Sequence, residues 1–148
     1  MEEICMTQEE KQLLLKDLCA RLPYGVKAIA KTHKGAKIGK VITITTKFID
    51  YSKGNAILGE LYANDECFWL DYGLFKPYLR PMSSMTEEEI LEFIQIGDSV
   101  LRIGERKSTC ILSLEQMDWF NKNMFDYRGL IPKGIALEAP EDMYKVQN

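Results

Sequence analysis

Between residues 26 and 72 the apolar residues recur at every second position, and the composition turns to Val, Ile, Thr, Phe, Tyr and Trp. A period of two belongs to strands whose side chains alternate between faces, so this stretch restricts the fold more than any other. Four strands are predicted, at about 26–32, 39–49, 55–63 and 66–72, broken by HKGAK, YSKGN and AND. The breaks hold the Gly, Asn and Asp residues of tight turns, and connections this short make neighbouring strands antiparallel. The expected product is a four-stranded meander, open or curled into a small barrel of the SH3 type.

Alternation assigns the faces. Ile42, Ile44 and Phe48 share one side of the second strand, with Thr43, Thr45 and Lys47 on the other. In the fourth strand Phe68, Leu70 and Tyr72 oppose Cys67, Trp69 and Asp71. Trp69 is therefore a candidate for the outer face, although cover by a terminal helix is the commoner fate of a tryptophan.

Helical periodicity frames the strands. Thr7 with Glu10 makes a capping box ahead of a helix at 8–21, in which Leu14, Leu15, Leu18, Cys19 and Leu22 form a stripe before Pro23 and Gly25 end it. Thr86 with Glu89 opens a second helix at about 87–96, with Ile90, Leu91, Phe93 and Ile94 as its buried stripe. Glu87, Glu88 and Glu89 are explained by the helix dipole rather than by acid/base chemistry. Ser113 with Gln116 opens a third helix, to about 123. FKPYLRPM reads as an extended surface connector, because Pro77 and Pro81 bar a helix interior and a central strand. Residues 98–112 read as a hairpin turning near GERKS. The tail, punctuated by Gly129, Pro132, Gly134 and Pro140, is expected to wrap the domain through Tyr127, Leu130, Ile131, Ile135, Leu137 and Tyr144.

These elements define one α+β domain over residues 1–148, a length and apolar content that suit a single core. No apolar run approaches the roughly 18 residues of a membrane span, and the opening MEEICMTQEE is acidic where a signal peptide is basic. A cytoplasmic protein without membrane contact is expected, with Cys5, Cys19, Cys67 and Cys110 as free thiols. Cys67 and Cys110, on or near strands, are expected to be buried and inert.

Charge is unevenly placed. Residues 26–54 carry Lys27, Lys31, Lys34, Lys37, Lys40, Lys47 and Lys53 against Asp50 alone, whereas the whole chain has 19 bases and 22 acids. The stretch is therefore +6 and the remainder −9, a segregation that equips one region for an anionic partner. Lysines beside an outward Trp69 or Tyr62 are the pairing that binds single-stranded nucleic acid, by phosphate contacts and base stacking. Against that reading, Arg21, Arg80, Arg102, Arg106 and Arg128 all lie outside the basic stretch. Lys76, Tyr78 and Arg80 are candidates for a second anionic contact. Asp126, Tyr127 and Arg128 either line a ligand cleft or, more commonly, tie the tail to the body.

Signatures of catalysis are missing from the sequence. It has no GxSxG, HExxH, GxxxxGK[ST] or GxGxxG motif, its cysteines lack metal-site spacing, and His33 sits alone in a Gly/Lys turn. No enzymatic activity, cofactor or metal is expected.

The tracts LPYGVK (22–27), FKPYLRPMSSMTEEE (75–89) and MDWFNKNMFDYRGLIPKGIALEAPEDMYK (117–145) resemble those of a family of small proteins encoded by tailed phages and prophages of gut bacteria. The resemblance covers about a third of the chain, leaves out 26–72 and 97–112, and carries no catalytic residue. It implies a phage-related context. With the lysine-rich strand region as binding face, the expectation is a non-enzymatic accessory protein that binds a host or phage macromolecule, a protein first and nucleic acid second. The expected binding residues are Lys27, Lys31, Lys34, Lys37, Lys40, Lys47, Trp69, Tyr78, Arg80 and Arg128.

Overall fold

The computed structural model describes residues 6–50, 54–104 and 113–144, and for 47–50, 54–56 and 98–104 only the course of the chain. The architecture is α+β: an N-terminal helix, a six-stranded mixed sheet and two further helices. Helix α1 is Gln8–Arg21, and β1 (Lys27–Thr32), β2 (Gly35–Asp50), β3 (Gly54–Ala63) and β4 (Glu66–Asp71) follow. After them come β5 (Phe75–Leu79), α2 (Glu87–Gly104), α3 (Leu114–Lys122) and the two-residue β6 (Leu137–Glu138).

All three capping boxes form. Thr7 accepts from the Glu10 amide and Glu10 returns the bond, and the same reciprocal pairs join Thr86 with Glu89 and Ser113 with Gln116. The buried face of α1, however, is Leu14, Asp17, Leu18 and Arg21. Cys19, expected in the stripe, is exposed.

The four predicted strands are present, and the first turn is tighter than expected. His33 and Lys34 alone separate β1 from β2, so β2 begins at Gly35, whose φ of 99° closes the turn. Asn64 and Asp65, both at positive φ, join β3 to β4. The alternation predicted for β2 fails at a bulge between Val41 and Thr43. The extra residue shifts the faces, leaving Ile42 exposed while Ile44 packs on the core.

The largest departure is the segment read as a surface connector. FKPYL is β5, an interior strand in the order β4-β3-β2-β1-β5-β6, with Phe75, Pro77, Tyr78 and Leu79 buried. Pro77 lies opposite Ala28 of β1, and the parallel ladder to β6 starts only at Tyr78, so a single strand runs alongside the proline. The sheet is therefore mixed and six-stranded rather than a four-stranded meander.

On a flat sheet β3 and β5 would stand about 14 Å apart, three strand spacings. A β-carbon at Gly59 of β3 would nevertheless collide with the ring of Phe75. The sheet is thus curled around a core in which Leu14 and Leu18 of α1, Val41, Leu61, Phe75, Leu79, Leu130 and Ile135 are almost wholly buried.

A second cluster joins α2, α3 and the tail. Phe93 stacks on Phe120 at 4.7 Å and Trp119 on Phe125 at 5.5 Å, with Tyr127 stacked on Phe120. Only one flank of α2 is used. Phe93 and Ile96 pack on this cluster, whereas Ile90, Leu91 and Ile94, expected to be buried, are 42, 61 and 48% exposed. Helix α2 continues to Gly104, so residues 98–104 are helical rather than the first strand of a hairpin. Residues 105–112, which hold most of the expected turn, lie outside the described residues.

The tail does wrap the domain by turns, as expected, and Leu130 and Ile135 anchor it in the core. No described helix is long and apolar enough to cross a membrane.

Candidate binding face

The strand register places one set of side chains on the sheet surface away from the core. Directly opposed residues share a face, so Ile29 sits between Lys76 and Ile38, and Lys40 is followed across the sheet by Tyr62 and Cys67. Trp69 lies opposite Glu60. Trp69 is 48% exposed, Ile38 52% and Tyr62 44%. Trp69 therefore takes the outward of its two readings, and cover by a terminal helix, the expectation given more weight, does not form among the described residues. These three large apolar side chains are thus exposed on one sheet surface.

Charge divides this face by hairpin. Residues 27–50 carry six lysines against Asp50, while residues 54–71 carry Glu60, Asp65, Glu66 and Asp71 with no base. Lys34, in the first turn, bridges the two through Glu66 at 2.7 Å, which holds that carboxyl below its usual range. Of the basic region read from the sequence, Lys31 and Lys40 are exposed on this face, beside the acidic and aromatic β3–β4 hairpin.

The lysines are not equivalent. Lys31 and Lys40 are exposed on the outer face. Lys27 is half-buried and its Nζ donates to the Met143 carbonyl at 3.1 Å. Lys37 lies opposite Ala30, whose side of the sheet is buried, and is half-exposed. Lys47 pairs with Ala56 in the β2–β3 ladder, and its side chain lies outside the description.

Tyr78, Arg80 and Arg128 stand apart from this face. Tyr78 is buried and its carbonyl accepts from the Tyr144 hydroxyl at 2.7 Å. Arg80 grips Glu89 with two bonds of 2.8 and 2.7 Å and stacks on Phe125, and this clamp lowers the Glu89 carboxyl. Arg128 donates to Asp17 at 2.8 Å and lies over the Tyr127 ring. Asp126 accepts the amides of Leu130 and Ile131. Arg128 therefore ties the tail to the body, the commoner of the two readings of that pair, while the Asp126 side chain closes a loop within the tail.

That junction also contains residues the sequence reading passed over. Asp17 and Arg21 are fully buried and bonded at 2.9 Å, and Arg21 donates a further bond to the Phe125 carbonyl. Their signal was present, since residues 14, 17, 18 and 21 follow the i, i+3, i+4, i+7 spacing of one helix face. Burial raises the Tyr144 phenol well above its usual range; its oxygen also accepts the Lys27 amide at 2.8 Å.

Two cysteines are exposed. Cys67, expected to be buried, projects on the outer face, where a hydrogen bond with Glu60 raises its thiol above the usual range and disfavours a reactive thiolate. His33 is exposed in its turn, 5.8 Å from the Phe68 ring. Among the described residues no group of three or more His, Cys, Asp or Glu is placed to hold a metal ion.

A cleft of about 690 Å³ is lined by Arg80, Glu88, Glu89, Glu138, Glu141 and Tyr144, among others. Its one arginine is already clamped to Glu89.

No family model matches this chain, and no curated protein or solved structure matches it.

Proposed function

We propose that this chain is a non-enzymatic accessory protein, of the phage-related kind its sequence tracts resemble, that docks a host or phage protein on the outer face of its sheet. One observation carries the choice of a protein over a nucleic acid. The ring best placed to stack, Trp69, is flanked by Glu60 opposite it and Asp71 two residues along, not by lysines. Carboxylates there repel phosphate, whereas exposed Ile38, Tyr62 and Trp69 between opposite charges suit a protein surface, where aromatic anchors dominate affinity. The curled sheet invites comparison with small barrels of the SH3 type, by analogy of architecture alone.

The second reading, a nucleic-acid module, draws on Lys31, Lys40 and Lys76 of the outer face, with Lys40 directly opposite Tyr62. Both are tested together. A photo-crosslinking residue at Ile38 or Trp69 is expected to capture a discrete polypeptide that the same residue at Glu115 does not. Purified, that polypeptide is expected to bind the chain and to lose at least tenfold in affinity with Trp69→Ala. The reading fails if the face captures no polypeptide and instead binds a single-stranded oligonucleotide whose affinity falls steeply with salt and with Lys31→Glu and Lys40→Glu.

A further inference from the structure

The turn between β3 and β4 decides where the backbone of β4 points. Asn64 and Asp65 sit at φ of 52° and 64°, the geometry of a two-residue primed turn. In such a hairpin the flanking residues, Ala63 and Glu66, form a hydrogen-bonded pair, and bonded and non-bonded pairs alternate from there. Phe68 and Leu70 thus aim their N–H and C=O groups at β3. Cys67, Trp69 and Asp71 aim theirs the other way. β4 ends the sheet, and among the described residues no strand lies beyond it.

Proteins usually blunt such an edge with a lysine, a proline or a bulge in mid-strand. The centre of β4 is Cys67, Phe68, Trp69 and Leu70, with no such residue, and its ladder to β3 runs without a register shift. Acids lie only at its ends and on the neighbouring strand. Glu66 is engaged by Lys34, and Asp65 accepts from the Tyr62 hydroxyl. Glu60, hydrogen-bonded to Cys67, and Asp71, whose carboxylate accepts the Gly73 amide at 2.8 Å, flank Trp69.

From this arrangement we infer that the open edge of β4 receives an extended, cationic segment of a protein partner, which joins the sheet by bonding to the backbone of Cys67, Trp69 and Asp71. The inference rests on the reading of the outer face as a protein-docking surface and names how the partner is held. Strand addition supplies affinity through backbone bonds, and alternate side chains supply the selection. Residues opposite Cys67, Trp69 and Asp71 project onto the same outer face, so an apolar side chain meets the indole and basic ones meet Asp71 and Glu60. A second copy fits poorly, because its own β3–β4 hairpin repeats the same acids and brings no base.

The test uses the full-length chain and an acetylated, amidated decapeptide with threonine at every second position and lysine, valine and lysine in turn at the central positions between, so that a valine can face Trp69 with lysines on either side, beside its counterpart with glutamate for lysine. Amide exchange is followed residue by residue. The lysine peptide is expected to slow exchange about tenfold or more at Cys67, Trp69 and Asp71 and to leave Phe68 and Leu70, already bonded to β3, unchanged. The glutamate peptide is expected to do neither. Cys67→Pro removes an N–H that points away from β3, so it is expected to weaken binding at least tenfold. The exchange measurement on the unmodified chain decides the matter even if that variant does not fold.

A change in Trp69 emission without slowed exchange at those three amides overturns strand addition and leaves the face standing. Equal protection by the acidic peptide overturns the cationic assignment, and protection that grows with protein concentration alone makes a second copy the occupant. Failure of the face itself shows separately, as crosslinks from Ile38 and Trp69 that capture no polypeptide.

Discussion

The charges beneath α1 and the charges on the outer sheet face are the same residue types in opposite circumstances. Asp17 and Arg21 have no exposed side-chain surface and Arg128 little, and together they join the first helix to the tail. Lys31, Lys34 and Lys40 stand in solvent on neighbouring strands or their turn. Desolvated charges hold a fold only as a matched set, because loss of one leaves another uncompensated. Solvated charges do little for stability and remain available to a partner. The arginines at the junction thus belong to the scaffold, whereas the exposed lysines contribute little to it.

The sharpest way to break this contrast is Arg21→Met. It keeps the Arg128 pair of Asp17 but removes the fully buried one and leaves the buried Phe125 carbonyl without its donor, and a loss of roughly 1–3 kcal/mol in urea unfolding is expected. A loss below about 1 kcal/mol would mean that the junction is not a matched set.

Next is Glu89→Gln, expected to cost about 1 kcal/mol because the Arg80 clamp loses its charge. Its pH dependence has a definite sign. The Glu89 carboxyl is lowered by Arg80, so the contribution is complete above the ordinary carboxylate range and disappears as the pH falls through the lowered value. The difference between native chain and variant is therefore expected to shrink below about pH 4. A constant difference would assign the effect to packing on Phe125.

Lys34→Ala tests the exposed side of the comparison. The Lys34–Glu66 pair is about half exposed at both ends, at 50 and 48%, and its removal is expected to cost no more than about 0.5 kcal/mol. Smallest of all is Lys31→Ala with Lys40→Ala, expected to shift the unfolding midpoint within error. A larger shift in either would place the hairpin lysines in the scaffold.

Much of the fold was legible because its determinants are local. Thr7, Thr86 and Ser113 marked helix starts through a partner three residues on, and Gly and Asn at the turns marked the hairpins. Phe75 was missed because its environment comes from Gly59, a residue of another strand brought close only by the curl. The α2 stripe was misassigned because periodicity shows that a face is apolar but not whether another element arrives to cover it. Of the candidate site, Trp69, Lys31 and Lys40 were found, whereas the part played by Glu60 and Asp71 depended on which strand pairs with which.

The helices, the four central strands, their tight turns and the uneven distribution of lysine follow from the order of residues alone, since periodicity, capping and turn chemistry act over a few positions. It took the packed chain to put Phe75–Leu79 inside the sheet, to bury Asp17 and Arg21 together, and to set a basic hairpin on one surface with an acidic, aromatic one. Those outcomes depend on pairing and burial between residues distant in the chain, which no local pattern specifies.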